Sequence, residues 1–210
     1  MQLTRKRVIA AAMDLIEKDG VEAVSMQRLA MELGCGLVAL YSYVPSKSAL
    51  LDGVANAVMS QVPSPVVGAA SWQEQIRAQA RTFRELARAH PRCAIVLVTR
   101  PAPSATVLRP VEQALTTLRS AGFGPRDAMH IVRAITMYVM GSLLSEFGIA
   151  PVSATGDADE RPLRLRRDEF PHLTALSNEP SASDSDTDFE FGLDLLVRSA
   201  TEIQAARAIC

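Results

Sequence analysis

Cysteine is scarce in this chain of 210 residues: Cys35, Cys93 and Cys210 are odd in number and widely separated. That usage argues against a disulfide framework, no spacing among them suits a zinc site, and it fits a reducing compartment. Cys35 reads either as a small packed thiol or as a redox switch. An excess of one charge is equally lacking, because 22 Lys and Arg stand against 23 Asp and Glu for a net charge of −1. Any binding to a polyanion must therefore come from local placement of cations. No secretion signal opens the chain. VIAAAMDLI follows basic residues but runs directly into Glu17, Lys18 and Asp19 as an amphipathic helix, without a cleavage pattern. A cytoplasmic protein is expected. Enzyme signatures are missing as well: His90, His130 and His172 fall in separate elements, there is no Gly-rich phosphate loop, and the acidic residues lack catalytic spacing. No cofactor and no catalytic residue are expected.

What is present is an ordinary soluble composition, 48% hydrophobic and 21% charged, enough to bury one or two cores. Its most strongly punctuated stretch is VSMQRLAMELGCGLVALYSYVPSK, from Val24 to Lys47. Ser25 is a good N-cap, and Leu29, Ala30 and Leu33 follow at helical spacing. Gly34 suits a left-handed turn, and Leu37 to Val44 form a second helix closed by Pro45. Two short helices around such a turn make a helix-turn-helix, whose second helix enters a DNA major groove. Leu40 and Val44 are spaced to face the first helix of the pair. Tyr41 and Tyr43 fall on the open side, where phenols can cover thymine methyls or reach phosphates. Both rings could instead be half-buried core. Lys47, just inside a helix that Ser46 can cap, adds an ammonium beside backbone N–H groups suited to an anion.

LGCGLVALYSYVPSKSALLDGV resembles the end of the DNA-binding domain of TetR-type transcriptional regulators, and the resemblance extends back to Leu3. WQEQIRAQARTFRELARAHP, LVTRP, LRSAGF and FEFGLDLL are similar to the C-terminal domain of the tetracycline-repressor branch. The resemblance implies an all-α fold: a three-helix helix-turn-helix domain over residues 1–46, and a larger helical ligand-binding and dimerisation domain over 47–210. The candidate DNA contacts are Ser25, Gln27, Arg28, Gly36, Leu37, Val38, Ala39, Tyr41, Tyr43 and Lys47. This chain departs from expectation at the start of the recognition helix, where base reading would favour Arg, Lys, Asn or Gln and none is found. Readout then rests on apolar contacts, Gln27, bound water and DNA shape. Leu37 and Val38 can equally be read as core packing. Residues 1–61 hold six basic and six acidic residues, so Arg5, Lys6, Arg7, Arg28 and Lys47 must face DNA while Asp14, Glu17 and Asp19 point elsewhere.

Along the chain, Leu3 to Asp19 reads as the first helix, with Val8, Ile9, Ala12, Leu15 and Ile16 inward and Gly20 ending it. A fourth helix runs from Ser46 to about Val62 with Leu50, Leu51, Val54 and Val58 inward, before the break VPSPVVGAAS. Ser71 to Glu74 is a capping-box pattern opening a fifth helix with an apolar stripe of Trp72, Ile76, Phe83 and Ala87, stopped by His90-Pro91. Arg77, Arg81, Arg84 and Arg88 share what reads as its solvated face. Cys93 to Arg100 and Val107 to Ala121 are further helices, the latter tolerating Pro110 only near its first turn. Pro125 to about Phe147 is apolar almost all round, including Met129, Ile131, Val132, Ile135, Met137, Val139 and Leu143, but Arg133 and Glu146 argue against a membrane span. Asp188 to Ala208 carries Phe189, Leu193, Leu196 and Ala200 on one side and Phe191 and Leu195 on another. Pairing these two helices with their symmetry mates gives a four-helix homodimer interface, as the resemblance also implies. Ala150 to Thr187 reads as mobile loop with a short helix near Asp168 to Leu176.

The resemblance further implies a small-molecule pocket, for which the candidates are Gln79, Phe83, Val96, Thr99, Arg100, Met137 and Tyr138. A tetracycline sensor would chelate magnesium at positions that fall on Val96 and Ser145, so neither tetracycline nor a metal ligand is expected. The functional expectation is a ligand-responsive DNA-binding regulator, a repressor released from a palindromic operator by a small, mostly apolar effector. The alternatives are a helical interaction module without operator binding, or an enzyme.

Overall fold

The computed structural model describes residues 3–62, 71–99, 104–148, 169–176 and 184–208. Those residues form helices and turns with no strand among them. The chain folds as two compact units, Met1–Thr136 and Met137–Cys210.

In the first unit, α1 (Arg5–Asp19) begins where the Thr4 hydroxyl accepts from the Arg7 N–H at 3.2 Å. It buries the anticipated Val8, Ile9, Ala12, Leu15 and Ile16 and ends at Gly20, whose φ of 86° is open to glycine at little cost. The remaining anticipated core residues Leu29, Ala30, Leu40, Val44, Leu50, Leu51, Val54 and Val58 are buried with them. They lie on or beside α2 (Met26–Leu33), α3 (Leu37–Tyr43) and α4 (Lys47–Met59). Val44 is extended rather than helical, and α4 stops three residues before the expected end at Val62. The same core takes in Cys93 and Val96 of α6 (Pro91–Thr99), so the four N-terminal helices close around a fifth from far along the chain.

α5 (Trp72–Ala89) starts with a complete capping box. The Ser71 hydroxyl accepts from the Glu74 N–H at 3.3 Å, and the Glu74 carboxylate accepts from the Ser71 N–H at 2.9 Å, which also holds the Glu74 carboxyl below its ordinary pKa. One expectation fails here. Arg84 is only 6% exposed and not part of a solvated row, because α5 packs against both α6 and α7 (Ala105–Ser120) and the edge of the arginine face is covered. Proline also acts differently from expectation. Pro91 opens α6 instead of merely stopping α5, since its fixed φ suits the first helical position where its missing N–H costs nothing. α7 starts two residues early because the Ser104 hydroxyl accepts from the Val107 N–H, which places Pro110 in its second turn. Gln79 of α5 donates to the Pro110 carbonyl at 2.6 Å, and Trp72 meets Phe123 edge-on at 5.1 Å between centroids. α8 (Pro125–Glu146) buries Ile131, Val132 and Ile135 in this unit.

The second unit begins within α8 and includes α9 (Pro171–Leu176) and α10 (Ser185–Ala208). α9 again starts at a proline, and α10 starts three residues before expectation because the Asp184 carboxylate accepts from the Asp186 N–H and the Thr187 hydroxyl. Phe189, Leu193, Val197 and Ala200 are buried along one stripe of α10, with Val197 taking the inward position expected for the half-buried Leu196. Phe191 and Leu195 stay exposed. Tyr138 lies stacked on Phe189 at 5.8 Å, and its hydroxyl donates to the carbonyls of Asp188 and Phe189 at 3.0 and 2.9 Å. Gly192 makes that approach possible, since a Cβ there would stand 2.4 Å from the Tyr138 hydroxyl oxygen. The break at 63–70 and most of the expected loop, 150–168 and 177–183, lie outside the described residues.

Gly192→Ala should therefore lower stability by about 1–3 kcal/mol through overpacking against a rigid ring. The cost should shrink sharply in a Tyr138→Ala background. Thermal unfolding of the four corners of this cycle measures it, and equal costs in both backgrounds would rule the contact out as the cause.

Candidate nucleic-acid interface

The corner between α2 and α3 is built from backbone chemistry. The Ser25 hydroxyl accepts from the Arg28 N–H at 3.1 Å and starts α2. At the other end Gly34 takes the left-handed conformation, φ 62° and ψ 34°, donating to the Met31 carbonyl at 3.1 Å while the Cys35 N–H donates to Ala30 at 3.0 Å. These paired bonds satisfy the last carbonyls of α2 and turn the chain sharply into α3. The helix that follows has seven residues. Leu40 is fully buried, whereas Val38 is 86% exposed and Tyr41 43% exposed on the opposite side.

Gln27, Gly36, Ala39 and Lys47 are exposed, and Leu37 and Tyr43 are half-buried against the core. Lys47 is the first residue of α4, beside the N–H groups of a helix start capped by Ser46, whose hydroxyl accepts from Ala49 at 3.1 Å. Arg28 has a structural employment: its guanidinium pairs with the Asp19 carboxylate and donates to the Ala23 carbonyl at 3.4 Å, bracing the loop between α1 and α2. The Ser42 hydroxyl donates to the Ala39 carbonyl of its own helix at 2.6 Å. Met31, 75% exposed near the end of α2, is a residue that sequence reasoning passed over, because its periodicity alone did not set it apart from the core methionines.

Two of the three acidic residues of α1 are engaged by the same geometry, while Asp14 stays exposed. Asp19 serves Arg28, while the Glu17 carboxylate accepts from the N–H groups of Arg92 and Cys93 at 3.3 and 2.9 Å. Glu17 thereby caps the first turn of α6 from 75 residues away in sequence. The Arg92 side chain returns the contact to the Lys18 carbonyl. Burial first, and Glu17 second, push the Cys93 thiol up, so it stays a neutral thiol whose sulfur lies 3.8 Å from the Met13 carbonyl.

The ligand candidates are divided between the units. Gln79, Phe83 and Val96 lie in the first, Met137 and Tyr138 in the second. Val96 is a fully packed member of the core shared with α1–α4, and Gln79 and Tyr138 are bonded to backbone carbonyls as described. The Thr99 side chain and Arg100 lie outside the described residues. Among the described residues, no three His, Cys, Asp or Glu side chains lie together as a metal site.

A capped corner, an outward-facing second helix and a lysine at the next helix start define a helix-turn-helix DNA-binding protein. The chain belongs to the TetR family: residues 8–54 match the family described as "Bacterial regulatory proteins, tetR family" and residues 64–199 match "Tetracyclin repressor-like, C-terminal domain". An HTH-type transcriptional regulator of Saccharopolyspora erythraea is 32% identical over 198 residues, 93% of this chain and 83% of that protein. Apo ActR from Streptomyces coelicolor superposes with a TM-score of 0.82 at 27% identity over 99% of both chains; in complex with actinorhodin it gives 0.78 at 28%, over 97% of this chain and 99% of ActR. BioQ on its double-stranded DNA operator gives 0.68 at 25% identity over 95% of this chain and 98% of BioQ. The chain is a ligand-responsive DNA-binding transcriptional regulator of the repressor type.

Lys47→Ala should weaken operator binding across sequences and reduce the slope of log K against log salt by about 1. Fluorescence anisotropy at several salt concentrations reads both quantities, and an unchanged slope would remove Lys47 from the phosphate contacts.

Proposed function

We propose that residues 1–46 read DNA and residues 47–210 sense an effector and dimerise, and that a small, mostly apolar molecule releases the dimer from a palindromic operator. Ser25, Gln27, Gly36, Leu37, Val38, Ala39, Tyr41, Tyr43 and Lys47 form the DNA face. Arg28 belongs to that face chiefly as a brace. In the effector region we assign Gln79, Phe83, Val96, Thr99, Arg100, Met137 and Tyr138. The protein works in the cytoplasm and carries out no chemical step.

The observation that carries this reading is the core shared by α1–α4 and the start of α6, fastened by Glu17. Close-packed groups shift between discrete arrangements and do not deform smoothly, so a displacement of α6 is passed to the reading helices as a rigid movement. A dimer holds two recognition helices about 34–36 Å apart, one turn of DNA, and release requires only that this separation change. The effector must bind the released arrangement more tightly, since equal affinity for both would move nothing.

The dimer reading rests on apolar surface. α8 has the length and apolar composition of a membrane span, yet only 33% of its most apolar stretch is buried within the chain. Arg133, exposed within that helix, is unsuited to lipid, and Phe191 of α10, 68% exposed, adds apolar surface for a protein partner.

Phe191→Glu should leave the single-chain fold intact, convert the dimer to monomer in sedimentation velocity, and reduce operator affinity on the order of 100-fold or more through lost bivalency. A variant that stays dimeric would place the interface elsewhere. Release of operator by a panel of small apolar molecules tests the effector class; release by none of them, with polar metabolites active instead, would overturn it.

A further inference from the structure

The most exposed large apolar side chain on the described surface is Val38, in the first turn of the recognition helix. Its neighbours sharpen the question of what it meets. Leu37 turns toward the core, Ala39 is exposed but small, and Ser42 spends its hydroxyl on the Ala39 carbonyl. From Gly36 to Leu40 no side chain offers a hydrogen bond to a base edge. Major-groove edges present donors and acceptors at every base pair, and only one apolar group, the C5 methyl of thymine.

We infer that Val38 seats against a thymine methyl in each operator half-site, so that this chain reads a methyl group where polar readers take a bidentate hydrogen bond. The inference rests on the DNA-binding reading given above. An isopropyl group left in water gains nothing, and the groove floor holds a single kind of surface that can remove it from water. Tyr41, three residues on and on the same side of the helix, closes the contact from its edge. The short Ala39 side chain lets the helix come close enough for the two apolar groups to touch. Discrimination at that base pair is then set by the methyl itself, and a 5-methylcytosine, which carries a methyl at the same ring position, satisfies part of it.

The test begins with duplexes selected by the full-length dimer from a randomised pool. In the selected duplex each thymine is replaced in turn by uracil, and at the responsive position cytosine is compared with 5-methylcytosine. The expected result is one thymine per half-site whose uracil form binds about fourfold more weakly, or about fifteenfold when both half-sites are changed. 5-Methylcytosine should recover a similar factor over cytosine, and Val38→Ala should abolish both methyl effects while still binding DNA with an unchanged salt slope. Wild-type binding indifferent to uracil at every thymine would overturn the inference, as would a Val38→Ala variant as methyl-sensitive as the parent. Failure to enrich any sequence would sink the DNA-reading function itself, a result distinct from enrichment of a methyl-indifferent site.

Discussion

A recognition helix of seven residues cannot hold itself together in water, because two turns supply too few hydrogen bonds to offset the cost of nucleating them. Burial of Leu40 and Val44 is what makes α3 a helix and what aims it. The corner at Gly34 sets where the helix begins; these two side chains set its roll about its own axis. Val38 and Tyr41 are outward because Leu40 is inward, and so the groove-facing surface is a by-product of the core. Everything attributed to the DNA face inherits its geometry from that packing.

Charge is managed by a similar economy of position. A chain with a net charge of −1 and a balanced N-terminal region has no general attraction to DNA. Two of its carboxylates, Asp19 and Glu17, are engaged by partners within the chain, one by Arg28 and one by the first turn of α6. Carboxylates occupied in this way are held in place on their own partners. The outward ammonium of Lys47 and the exposed Arg5 and Lys6 are left to provide the field.

Much of this was legible in the sequence, and the pattern of what was not follows the range of the interactions. Capping residues act within four positions, so Ser25, Ser46, Gly20, Gly34 and the Ser71–Glu74 box announce themselves, and the 3.6-residue period gives the core face of α1 without error. Proline was harder. Pro91 and Pro171 both open helices, and Pro110 sits deeper in α7 than its missing N–H would recommend, because Ser104 makes a better start than the residues after it. Burial of Arg84 and the outward position of Met31 depend on which neighbours arrive from elsewhere, and no local signal carries that. The same holds for Arg28, whose sequence position suggested a DNA contact while Asp19 and Ala23 give it a bracing role.

The partnership of Glu17 with Arg92 and Cys93 has a consequence for how the protein is made. The apolar interior of the N-terminal helices is not closed until Cys93 and Val96 reach it. A nascent chain that has emerged only as far as α4 presents an open face, with the Glu17 carboxylate still facing water. Vectorial synthesis therefore leaves this interior incomplete until α6 has left the ribosome. A product terminated before α6 lacks the side chains that complete this core.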